Sequence, residues 1–102
     1  MQSRCAMSAD DLIPLVRASL LATAREYNLP AVIRSLELND WRRAKEGFDE
    51  AVTSEHDAAL LDASLAACAL EKGRVREACA ALAQSKGWPL TRWIRAMRAE
   101  VR

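Results

Sequence analysis

The chain has 102 residues, 51% of them hydrophobic and 28% charged, with 15 basic against 14 acidic side chains and a net charge of +1. That length supports one domain with a modest core, and the even charge balance excludes the whole-domain basic excess of most nucleic-acid binders. Three cysteines without paired spacing exclude a disulfide framework and point to a reducing cytoplasm; no apolar run reaches the roughly 20 residues of a membrane span, and no secretory leader is predicted.

Taken in order, residues 1–8 are polar and without period. Ser8, Asp10 and Asp11 offer helix N-caps. Leu12, Leu15, Val16, Ser19, Leu20 and Thr23 then recur at helical spacing, predicting a first helix from about Asp11 to Glu26 with Pro14 in its first turn. Asn28-Leu29-Pro30 ends it, and Pro30 suits the first position of a short second helix over 30–38. Asp40 caps a third helix from Trp41 to about Val52, and Thr53 to His56 form a turn. An Ala- and Leu-rich helix is predicted from Asp57 to Lys72, ended by Gly73, with an antiparallel partner over 74–85. Lys86-Gly87-Trp88-Pro89 is the last break before a terminal helix from Leu90 to Val101. No alternating stretch predicts a strand.

Two of these stretches repeat. Asn39, Trp41, Ala44, Phe48 and Ala51 stand 34 residues before Gly73, Val75, Ala78, Leu82 and Ser85. That is the period of the tetratricopeptide, a helix–turn–helix unit that buries its apolar face by stacking on a neighbour. The expected fold is therefore all-α: a single tetratricopeptide-like domain over 1–102, with repeat units of about 25–58 and 59–92. Flanking helices of about 11–26 and 90–101 bring the array to six.

Sites of chemistry are not found. His56 is the one histidine and falls in a predicted turn, and no metal-ligand spacing or phosphate-binding loop occurs. Glu46, Asp49 and Glu50 read as a solvated helix face, and Arg92, Arg95, Arg98 and Arg102 as a basic stripe suited to a helix C-terminus. No enzyme, metal site or cofactor is predicted. Charge is uneven along the chain: residues 37–70 hold three basic and eight acidic side chains, and 71–102 hold eight and three. Such a division favours internal packing or partner steering over nucleic-acid binding.

Residues 56–93 resemble the YscG/PscG family of needle-subunit chaperones of type III secretion systems. Gly73, Arg74, Glu77, Ala78, Trp88, Pro89 and Trp93 carry the resemblance, which covers less than half the chain. Val75 stands where that family has an aromatic residue. The resemblance implies a cytoplasmic chaperone that holds the amphipathic C-terminal helix of a needle subunit in a concave groove and prevents premature polymerisation, braced by a second small helical co-chaperone. Helix-in-groove binding of this kind needs no catalysis. The alternative is a generic tetratricopeptide adaptor for protein–protein interaction.

The groove of such an array is lined by the first helix of each unit. Its inner positions here are Leu29, Ile33 and Leu36, then Leu60, Ala63, Ala67 and Leu70, continued by Ile94 and Met97 on the terminal helix. Leu12, Leu15 and Leu20 on the first helix are the expected contact for the second partner.

Overall fold

The computed structural model describes residues 9–54 and 57–83, and these are all-helical: α1 (Ala9–Glu26), α2 (Pro30–Glu37), α3 (Trp41–Ala51), α4 (Ala58–Glu71) and α5 (Val75–Leu82). The predicted terminal helix lies outside the described residues, with Trp88, Trp93, Ile94, Met97 and the arginines of its stripe. So do Cys5, His56 and Ser85.

Helix α1 begins two residues earlier than its sequence suggests, so Pro14 falls in its second turn rather than its first. The missing N–H and the ring's clash with the preceding turn are a local cost. Packing overrides it, because Leu12, Val16, Leu20 and Ala24, one turn apart, are all fully buried. Pro30 opens α2 at its first turn. Asp40 caps α3, its Oδ1 accepting from the Arg43 N–H at 3.2 Å. Helix α3 turns Ala44 and Phe48 inward, and α5 turns in Val75, Ala78, Cys79 and Leu82.

Three of the four connections between these helices are the same turn. Asn39, with φ of 58°, donates its N–H to Leu36 O at 3.1 Å, and Asp40 donates to Ser35 O at 2.8 Å. Thirty-four residues on, Gly73, with φ of 74°, donates to Leu70 O at 3.0 Å, and Arg74 to Ala69 O at 2.8 Å. Asn28, with φ of 59°, makes the pattern a third time: its N–H reaches Arg25 O at 3.1 Å and that of Leu29 reaches Ala24 O at 2.9 Å. Each is a Schellman end, in which a left-handed residue lets two N–H groups satisfy the last carbonyls of the helix. The α3–α4 connection differs. Val52 is extended, and the Asp57 carboxylate accepts from Thr53 N at 2.9 Å and Thr53 Oγ1 at 3.2 Å.

Packing follows chain order, each helix lying against the next, and then closes: α5 returns to α1, and α4 also touches α1. An open row would instead set α2 beside α4 and leave α1 remote from α5. The difference has a physical source. The apolar stripe of α1 is four turns long, and folding it back onto α4 and α5 buries it where an open row would leave it wet. The buried core draws on all five helices, with Leu12, Val16, Leu36, Phe48, Leu60 and Leu82 among its larger members.

Candidate helix-binding surface

The residues predicted to line a groove are placed in the interior. Leu36, Leu60, Ala63, Ala67 and Leu70 are buried, Leu70 the most accessible at 6%, while Leu29 and Ile33 are half-buried against the same core. Ile94 and Met97 lie outside the described residues. Leu12 and Leu20, expected at a second partner, are buried in that core too, and Leu15 is half-buried against it. The structure thus brings both sets together, and what meets α2, α4 and α5 is the chain's own amphipathic first helix.

Helix α1 is held by the apolar stripe and by one polar corner that sequence reasoning missed. Arg17 donates from Nε to Asn39 Oδ1 at 3.0 Å, and its guanidinium carbon lies 6.0 Å from the centroid of the Trp41 ring, within cation–π range. The Asn39 that makes the left-handed turn therefore also anchors α1. No local pattern links positions 17, 39 and 41; only the fold does. Ser19, one turn before the end of the stripe, is buried, and its hydroxyl has no hydrogen-bond partner.

A second apolar surface faces solvent. On α4, Leu61 and Leu65 are 38% and 61% exposed, with exposed Ala58 and half-buried Cys68 in the same row. The spacing of 58, 61, 65 and 68 is the three–four alternation of a helix–helix seam. That alternation was visible in the sequence, but α4 is apolar all round, so spacing alone could not say which stripe is inside. Cys68 and Cys79 are free thiols, and burial pushes that of Cys79 above its ordinary pKa. In the native protein Cys68 is expected to react with a maleimide well before buried Cys79, as peptide mapping after a short pulse would show.

The α3–α4 junction carries polar contacts. Lys45 Nζ lies 2.6 Å from Asp49 Oδ2, and Ser64 Oγ donates to Asp49 Oδ1. Burial alone would raise the Asp49 pKa, but the hydrogen bonds from Lys45 and Ser64 and the lysine's charge outweigh it, leaving the carboxyl below its usual range. The hydrogen bond and charge of Asp49 in turn raise Lys45. A carboxyl lowered in the folded state stabilises above its unfolded pKa and loses that contribution as pH falls through about 4 and below. Asp62, raised by burial, works in the opposite sense. Asp49→Asn is therefore expected to flatten the loss of urea resistance between about pH 5 and pH 3. An unchanged slope would remove Asp49 as its source.

Among the described residues no group of three His, Cys, Asp or Glu side chains is placed to hold a metal ion, and no helix is long and apolar enough to cross a membrane. No protein-family model, curated protein or solved structure matches the chain.

Proposed function

We propose that this chain is a chaperone that holds an amphipathic helix of a partner, in the manner its resemblance to the needle-subunit chaperones of type III secretion implies. Hairpins α2–α3 and α4–α5 act as two tetratricopeptide-like units, and their apolar inner positions receive the partner's stripe. The work is done in the cytoplasm and needs no catalytic group or cofactor, because covering the partner's polymerising face is sufficient.

One observation carries this reading: the two hairpins already hold an amphipathic helix. Leu12, Val16, Leu20 and Ala24 of α1 sit at full burial in a core shared with Leu36, Leu60 and Leu70. A generic adaptor for extended peptide ends would present polar side chains at those inner positions, and all of them are apolar. The second small helical partner, expected at Leu12, Leu15 and Leu20, fits the same reading once those side chains are free.

Co-expression with a candidate needle subunit tests it. A complex surviving gel filtration is expected, and serine at the apolar positions of the subunit's C-terminal helix should abolish it. Recovery of the chaperone alone in both cases would overturn the reading.

A further inference from the structure

We infer that α1 is a displaceable placeholder, a helix that the chain keeps in its own groove and gives up when a partner's amphipathic helix arrives. This rests on the helix-binding reading above and adds how the site is kept closed.

Four observations support it. The stripe of α1, Leu12, Val16, Leu20 and Ala24, lies on one face of the helix and is buried against α2, α4 and α5. Its fit is imperfect where the α3–α4 junction is satisfied: the buried Ser19 hydroxyl has no partner, whereas Ser64 is paired with Asp49. An unpaired buried hydroxyl favours any state that wets it. Pro14 interrupts the backbone ladder of α1 in its second turn. The Arg17–Asn39 tie is exposed, so water competes for it at little cost. Among the described helices α1 is joined in sequence to α2 alone, through the short turn around Asn28, so its displacement leaves the α2–α5 connections in place.

The test uses the full chain and a fluorescent synthetic peptide copying residues 9–26. In hydrogen exchange, α1 amides are expected to open about tenfold or more faster than those of α4. The peptide should bind, speed exchange in the chain's own α1, and leave α4 and α5 protected. A peptide carrying Leu20→Asp should not bind. In the chain, Ser19→Ala should weaken peptide binding about fivefold to tenfold by relieving the unpaired hydroxyl, and Arg17→Ala should strengthen it.

Exchange of α1 only at the rate of α4, with no peptide bound, would overturn the inference. So would binding that leaves α1 protected and is lost on Leu65→Lys, because the peptide would then sit on the open face of α4. A needle subunit that binds while α1 stays protected sinks this inference and puts the subunit on another face, which spares the chaperone role but not the inner positions as its seat. Peptide exchange without any subunit binding does the reverse.

Discussion

Phe48→Ala is expected to lower the unfolding free energy by about 3–5 kcal/mol, the usual loss when a buried aromatic ring is cut back to a methyl group. Phe48 is fully buried on α3, the helix that lies between α2 and α4. Domains of this size hold only about 5–15 kcal/mol in total, so the variant should be close to unfolding at growth temperature. Its thermal midpoint is expected to fall by more than about 15 °C. Leu82→Ala, 34 residues on and also buried, should cost about 2–5 kcal/mol by the same mechanism. A Phe48→Ala midpoint within two or three degrees of the parent would mean that α3 is not packed between its neighbours as described.

The second large effect belongs to Gly47→Val, with an expected loss of about 2–3 kcal/mol from overpacking. A helix normally gains by losing a glycine. Here a Cβ on Gly47 would overlap Val32 Cγ2, and Val32 is buried on α2 with a side chain that has few rotamers to escape into. Val32→Ala on the Gly47→Val background moves the bulk from one side of the contact to the other. It should recover most of the loss, and a double-mutant cycle on urea unfolding measures the coupling. The equivalent pair in the second hairpin is Ala66 and Ala81, two equal small residues. If the two substitutions simply add, the close approach of α2 and α3 is not where the cost arises.

Much of the fold was legible because its turns are local. A left-handed residue followed by a helix start is written in four or five consecutive positions, and Asn39 and Gly73 show it at a fixed separation. Asn28 makes the same turn 11 residues before Asn39, but the sequence there reads only as the break Asn28-Leu29-Pro30, because that spacing is not the 34-residue period. Helix bounds came within a residue or two for α2, α3 and α4, where a cap, a proline or a glycine marks the ends. The surroundings of α1 were not legible. Periodicity says that Leu12, Val16 and Leu20 share a face, and nothing in their spacing says what covers it. The same limit applies to α4, where Leu60 is buried and adjacent Leu61 is open to solvent.

The contact between α5 and α1 sets a schedule for a chain made from its N-terminus. Helix α1 is complete at Glu26, yet one of the surfaces it rests on ends only at Leu82. At ribosomal rates of about 5–20 residues per second, the nascent chain carries Leu12, Val16 and Leu20 without their final cover for roughly 3–11 seconds. That interval is long beside the microseconds in which a helix forms. A helper meeting the nascent chain would find a formed helix with a bare leucine stripe during those seconds.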